Sequence, residues 1–414
     1  MKKNLLTLFA LAPLLALAGG FQVNLQGNQQ AGMGHLGTSF YLGASSTYFN
    51  PAMMGQSENK FNLEFGGHAI QSYVAFQNQN DGSTAETDNP LGTPFYLYGT
   101  YKINEELTAG LAVYTPFGSS VVWGDDWQGR YLIQDISLSA IFIQPTFSIQ
   151  ASEKLAVGLG FVYATGNVEI NRALPYQSNS GADSYANLSG GADGYGFNFG
   201  AHFQATDELS FGLTYRSGVN MELEDGDAEF KSPLPASSLP PTNTFSATLP
   251  LPSTATFGVA YQLNDKVLIS AEYSNVNWSV YESLDFDFEN NTDAFEDSEN
   301  PRRYEASSIF RLGFQYMVNE SLTARLGGYY DESPIQDEFF NPETPNSDNI
   351  GITAGLSYTL NDKLAIDASF IYIDGQERES YYSGNNLNRT NGDNFGGKYK
   401  SRSFIPGIGI RYNF

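Results

Sequence analysis

Large apolar side chains recur at every second position from about residue 60 to the end of the chain. Leu155, Val157, Leu159, Phe161 and Tyr163 alternate with Ala156, Gly158, Gly160, Val162 and Ala164. Leu209, Phe211, Leu213 and Tyr215 alternate with Ser210, Gly212, Thr214 and Arg216, and Leu364, Ile366, Ala368, Phe370 and Tyr372 with Ala365, Asp367 and Ser369. A period of two places neighbours on opposite faces, so each run predicts a strand with one apolar and one small or polar face. Such a face is either a soluble core or a wall against lipid. The connections decide between them. Short polar turns at Asn104-Glu105-Glu106, Ala151-Ser152-Glu153, Thr206-Asp207-Glu208, Asn264-Asp265, Asn319-Glu320 and Asn361-Asp362 alternate with looser segments near 78–90, 119–130, 171–192, 225–252, 289–302, 331–347 and 375–397. Six tight turns and seven long connections join fourteen strands. The predicted strands are 60–77, 91–103, 106–118, 130–150, 154–170, 193–206, 208–224, 253–263, 266–288, 303–318, 321–331, 348–360, 363–374 and 398–414. Tight turns at one end and long loops at the other are the pattern of an all-β, antiparallel transmembrane barrel of the outer membrane, and an even count brings both termini to the periplasmic side.

The N-terminus supports export. Lys2 and Lys3 precede an apolar run from Leu5 to Ala16, and Ala16-Leu17-Ala18 is a small-x-small site, so residues 1–18 read as a signal peptide. Composition agrees. The chain has 414 residues, with 26 Tyr, 30 Phe and 42 Gly beside only 16% charged residues, and no cysteine. Its net charge of −24 argues against a nucleic-acid partner, and the lack of cysteine excludes disulfides and thiolate metal sites. No apolar run reaches the roughly 18 residues of a membrane helix. Phe414 ends the chain on the parity of Ile408, Ile410 and Tyr412 and reads as a barrel-assembly signal.

Several segments carry a family resemblance. Gly20-Phe21-Gln22-Val23-Asn24 is similar to a mature start, and Asn50-Pro51-Ala52 to a motif of an internal plug. Tyr114-Thr115-Pro116-Phe117-Gly118 with Trp127-Gln128-Gly129-Arg130-Tyr131, then Phe211 to Ser217, then Asp331-Glu332-Ser333-Pro334 follow in order. Together they resemble the FadL family of outer-membrane transporters for long-chain fatty acids and other hydrophobic compounds. The resemblance implies a barrel over 60–414 plugged by an N-terminal hatch at 19–59. It also implies capture of ligand outside, passage past the hatch and lateral exit into the membrane. The 171–192 loop is short and rich in Gly, Ser and Asn, which argues against the helical hairpin that some members carry there.

The candidate chemistry follows. A hydrophobic ligand needs an apolar path past lipopolysaccharide and a break in the wall, yet unpaired backbone facing lipid costs several kcal/mol. Pro116 cannot donate to a ladder and Gly118 tolerates unusual dihedrals, so Thr115, Pro116, Phe117 and Gly118 are expected to kink strand three inward. The hole is expected beside Asn50, Pro51 and Ala52; the alternative is that Pro116 merely ends the strand at the outer rim. Phe21 is assigned to ligand contact. So are Phe245 and Leu249, in a Pro-rich loop that is either a capture surface or simply irregular. Arg130, Arg302 and Arg303 are candidates for a ligand carboxylate, which Arg binds bidentately, or for surface pairing. Arg216, Arg311 and Arg325 read as lumen-facing and as hydrogen-bonding the hatch. His35, His68 and His202 show no metal-ligand spacing, and no cofactor or catalytic set is expected. Acidic residues 293–299 read as solvated charge. The chain is expected to act as a monomer. A general diffusion porin and a structural or adhesive surface barrel remain as rivals.

Overall fold

The computed structural model describes residues 20–177, 183–292, 296–382 and 395–414. The expected signal peptide lies outside them, as do the first residues of the acidic 293–299 segment. Among the described residues, strand segments join end to end into fourteen wall strands. These are β1 (Phe61–His68 and Gln71–Asn78), β2 (Thr84–Glu86 and Phe95–Lys102), β3 (Leu107–Val122), β4 (Asp135–Gln150), β5 (Leu155–Gln177), β6 (Asp183–Gln204) and β7 (Leu209–Arg216 and Val219–Lys231). The circuit continues through β8 (Thr242–Leu251 and Thr254–Asn264), β9 (Val267–Val276), β10 (Ser307–Met317), β11 (Leu322–Asp331), β12 (Asn349–Asn361), β13 (Leu364–Gly375 and Arg378–Tyr382) and β14 (Phe395–Asn413). Neighbours pair antiparallel, and β1 closes on β14 with Phe65 opposite Ile410. Closure removes the sheet edges that lipid cannot satisfy.

The faces are sorted as lipid demands. On β5, Leu155, Leu159 and Phe161 are exposed while Ala156, Val162 and Ala164 are buried inside. The tight turns share one device. Asn104, Asn264, Asn319 and Asn361 each accept a backbone N–H two residues on through the side-chain oxygen, which stands in for a missing rung.

Two predicted loops are strand instead. Segments 171–177 and 183–192 are the upper parts of β5 and β6, with Asn171 opposite Asn187. Most of 225–252 pairs as the upper parts of β7 and β8, with Ala228 opposite Asn243. The predicted breaks rest on Gly, Ser and Asn in the first stretch and on Pro in the second. Pro250 is accommodated opposite Asn220, and Gly226 sits at a bulge where the register shifts.

The upper wall also reverses its hydrophobic parity. In β5 the odd positions are apolar and outward up to Phe161, but Asn167 and Glu169 are outward and exposed while Val168 and Ile170 turn inward. β4 does the same. Phe147 and Ile149 face out below, whereas Ile136 and Leu138 face in above, between exposed Ser137 and Ser139.

Residues 20–59 fill the lumen. They form two short helices, α1 (Asn28–Ala31) and α2 (Ser46–Phe49), and a 3-10 turn at Pro51–Gln56, and almost all of Leu25 to Met54 is buried. Inward glycines let this backbone approach the wall. A Cβ on Gly212 would overlap the Thr38 carbonyl, and one on Gly313 the Met33 carbonyl. Polar wall groups take up its backbone. Glu272 accepts the N–H of Gly37 at 2.9 Å and of Thr38 at 2.6 Å. Arg325 donates to Gln29 at 2.8 Å and Arg216 to the Tyr48 carbonyl at 3.0 Å. Arg311 donates instead to Ser274 of the wall at 2.6 Å, contrary to its expected bond with the hatch.

Candidate functional site: a wall gap and an apolar cavity

The β2–β3 ladder runs up to Tyr96 opposite Tyr114 and then stops. Thr115 closes the last rung with its side chain, accepting from the Phe95 N–H at 3.1 Å and donating to the Phe95 carbonyl at 3.3 Å. Above it the two strands separate. A bulge at Thr115–Pro116 shifts the β3–β4 register, and Phe117 and Gly118 stay paired with Ala140 and Ser139. The strand therefore keeps its β4 partner and loses its β2 partner, which is narrower than the expected inward kink. Contact resumes higher up, where the Asp88 N–H donates to the Val122 carbonyl at 2.9 Å.

The other side of this gap comes from residues 90–94. Pro90 and Pro94 lack N–H groups, and Gly92 pairs with Ile70 of the β1 break instead of with β3. Sequence reasoning singled out Pro116 and missed these. The signal was present as Pro90-Leu91-Gly92-Thr93-Pro94, a strand that cannot pair on every residue.

The free edge of β3 is occupied by the chain's own N-terminal segment. Val23 donates to the Pro116 carbonyl at 2.8 Å, the Gly118 N–H reaches the Phe21 carbonyl at 3.4 Å, and Gln22 bridges Phe117. Gln26 adds a side-chain bond to the Thr115 carbonyl at 3.2 Å. Residues 21–23 thus act as a short extra strand where a wall strand is missing. The gap opens on a cleft lined by Gly20 to Val23, Pro90 to Pro94, and Thr115 with Phe117 to Val121.

Asn50, Pro51 and Ala52 lie elsewhere, which corrects their expected place beside the gap. Asn50 donates to the carbonyls of Thr38 at 2.6 Å and Ala201 at 3.0 Å, and Pro51 packs where Gly158 and Gly200 leave room. Asn50 also accepts the Ala52 N–H at 3.1 Å and so caps the turn that follows. With the Ala52 carbonyl accepting from Ser148 at 3.0 Å, their contacts fix the hatch to β4, β5 and β6.

A second cavity lies inside, under the loops. It is narrow, and its lining is mostly apolar. Phe245 and Leu249 line it from β8, with Ile136, Leu138, Ile170 and Leu223 from the upper wall. These two predicted contacts stand on a strand and face in, because Thr244, Ser246 and Thr248 take the outward positions. Ile136, Leu138, Ile170 and Leu223 were missed; the parity reversal marks the first three. Phe21 and Phe117 line both this cavity and the cleft at the gap. The Phe21 ring is held edge-on by Trp278 at 4.8 Å and by Phe117 at 6.1 Å.

The three candidate arginines separate. Arg302 is buried at the cavity rim and forms an ion pair with Glu343, side chains 7% and 16% exposed. Arg303 is exposed and turns outward over the Phe339 ring at 5.3 Å. Arg130 is bound to Asp183 at 2.6 Å and stacks on Tyr131, and it lines neither cavity. The wall, the plugged lumen and the apolar cavity define a plugged β-barrel of the bacterial outer membrane.

The chain belongs to the family of outer membrane protein transport proteins (OMPP1/FadL/TodX), whose model matches residues 9–414. It is 24% identical to the long-chain fatty acid transport protein of Escherichia coli O6:H1 over 91% of this chain and 93% of that one. In fold it is similar to a FadL homologue of Pseudomonas aeruginosa, with a TM-score of 0.85, 18% identity, and coverage of 96% of this chain and 100% of the other. It is also similar to the toluene transporter TodX of P. putida, with a TM-score of 0.75, 17% identity, and coverage of 93% and 97%.

Proposed function

We propose that this chain takes up small hydrophobic molecules across the outer membrane, as a conduit rather than an enzyme. Ligand enters the apolar cavity between the upper strands, passes Phe21 when residues 21–23 leave the β3 edge, and exits through the β2–β3 gap into lipid. The observation that carries this reading is the shared partition. Phe21 and Phe117 line the inner cavity on one face and the gap cleft on the other, so moving one ring joins the two. Names of relatives support the substrate class, since one is called a long-chain fatty acid transport protein and one a toluene transporter. A general diffusion porin fits poorly with a lumen filled by residues 20–59, and an adhesive barrel has no use for the apolar cavity. The barrel works as a monomer among outer-membrane lipid and lipopolysaccharide.

The test blocks the gap and leaves the cavity intact. Ser120 lines only the gap cleft. In cells carrying Ser120→Trp, uptake of a radiolabelled hydrophobic ligand is expected to fall at least tenfold while binding to the purified protein stays. Uptake at the parental rate would overturn lateral exit.

A further inference from the structure

The inner cavity is apolar except at one rim, and the charges there are already matched. Arg302 and Glu343 are the charged side chains that line it among the described residues. They form a nearly buried ion pair, and the Arg302 main-chain N–H is fixed to the Glu282 carbonyl at 2.7 Å. Glu343 is held in turn by its own N–H, which donates to the Asn341 side chain at 2.9 Å. A neighbouring pocket, which shares Ile170, Leu284 and Phe286 with this cavity, repeats the balance, with Arg172 and Glu296 lining it beside the same pair. The ligand's route inward therefore offers two cations and two carboxylates.

This balance selects. A long-chain carboxylate that reached Arg302 would find the cation's charge already balanced by Glu343. It would either displace Glu343 into an apolar cavity or share one cation with it. Both leave a carboxylate without its own partner in a poorly solvated place, which is the costly arrangement for buried charge. An uncharged molecule of the same length meets no such cost. A hydroxyl or carbonyl at its end still has the Arg302 donors and the Glu343 acceptor within the same rim.

We infer that the cavity selects uncharged hydrophobic molecules, with at most a hydrogen-bonding terminus, and that Glu343 is the residue that excludes anionic ones. The inference rests on the capture role of this cavity and names its ligand class.

The experiment compares laurate with 1-dodecanol, equal in chain length, at pH 8 where laurate is ionised. Binding to the full-length protein in lipid nanodiscs is measured by equilibrium dialysis. The parent is expected to bind dodecanol at least tenfold more tightly than laurate. Glu343→Gln frees the cation, and a charge-assisted hydrogen bond is worth about tenfold or more in affinity. Laurate binding is expected to rise by that factor, with dodecanol changing less than about twofold. Laurate bound as tightly as dodecanol by the parent, or a ratio unmoved in Glu343→Gln, would overturn the inference and leave the capture site standing. If the variant barrel fails to assemble, judged by heat-modifiable gel mobility, the parental ratio alone decides. Failure of the parent to bind either molecule would overturn the capture site and the inference together.

Discussion

The backbone N–H of Val23 donates to the carbonyl of Pro116 at 2.8 Å. It does so where β3 has lost its β2 partner, so a residue from inside the barrel completes a hydrogen bond of the barrel wall. Wall integrity and lumen plugging therefore depend on the same few atoms. Val23→Pro removes that donor, and a single net hydrogen bond is worth about 0.5–1.5 kcal/mol. The variant is expected to leave the β3 edge more often, with about threefold to tenfold faster hydrogen exchange of the Gly118 N–H. Exchange at the parental rate would mean that the remaining bonds of residues 21–26 hold the edge unaided.

Phe21 is 8% exposed and contacts Trp278 and Phe117. Phe21→Ala opens the partition and removes one wall of the inner cavity. Ligand affinity is expected to fall about tenfold, since a buried Phe side chain is worth roughly 1.5–3 kcal/mol. Emission from Trp278, buried in the parent, is expected to shift to the red as water enters. Titration with dodecanol and an emission spectrum check both.

Glu272 accepts two N–H groups of the plug, from Gly37 and Thr38. Glu272→Ala orphans both donors, each at a cost of about 1–3 kcal/mol. The variant plug is expected to dislodge and the barrel to conduct ions in planar bilayers. Glu272→Gln keeps an acceptor and is expected to conduct less. Deletion of residues 19–59 sets the upper limit of conductance. A deletion that conducts no better than the parent would show that another segment closes the pore.

Asp348 lies in the loop before β12, and its pKa is raised to about 6, chiefly by burial and then by Glu332 and Asp337, with Arg378 opposing. A raised carboxylate favours the folded loop while protonated. That contribution is present at low pH and is lost as the pH rises from about 4 through about 6. Protection of loop residues 332–348 against hydrogen exchange, corrected for intrinsic rate, is expected to be higher at pH 4.5 than at pH 7. Asp348→Asn is expected to abolish the difference.

The membrane-facing half of the barrel was readable because lipid enforces a strict code. Leu155, Leu159 and Phe161 must face out, and tight turns must close one end, as Asn104 and Asn361 do. Above the bilayer the code relaxes. Residues 225–252 carry Gly, Asp and Pro that spell a loop locally, yet Phe245 and Leu249 are on a strand because the partner β7 satisfies their backbone. The wall gap was half legible. Pro116 announces a missing donor, but the other half depends on which strand Pro90 to Pro94 lies beside, and that is set by the barrel circuit. Asn50-Pro51-Ala52 was recognisable as a plug motif, while its distance from the gap follows from glycines on β5 and β6 that no local pattern ties to it. The pairing of Arg302 with Glu343 joins residues 41 apart in two irregular segments, and no periodicity reports it.

The parity reversal in β4 and β5 has a physical meaning of its own. Below it the strands obey the rule of a membrane, with oily groups out. Above it they obey the rule of an ordinary water-soluble protein, with Ile136, Leu138 and Ile170 in and Ser137 and Glu169 out. One continuous sheet thus carries two solvents stacked end to end. A water-soluble crown stands on a membrane stem, with no domain boundary between them. On the proposed route, a molecule caught in the crown would shed its hydration there, before it reached the depth of the bilayer. The step into oil would then be a transfer between two dry environments.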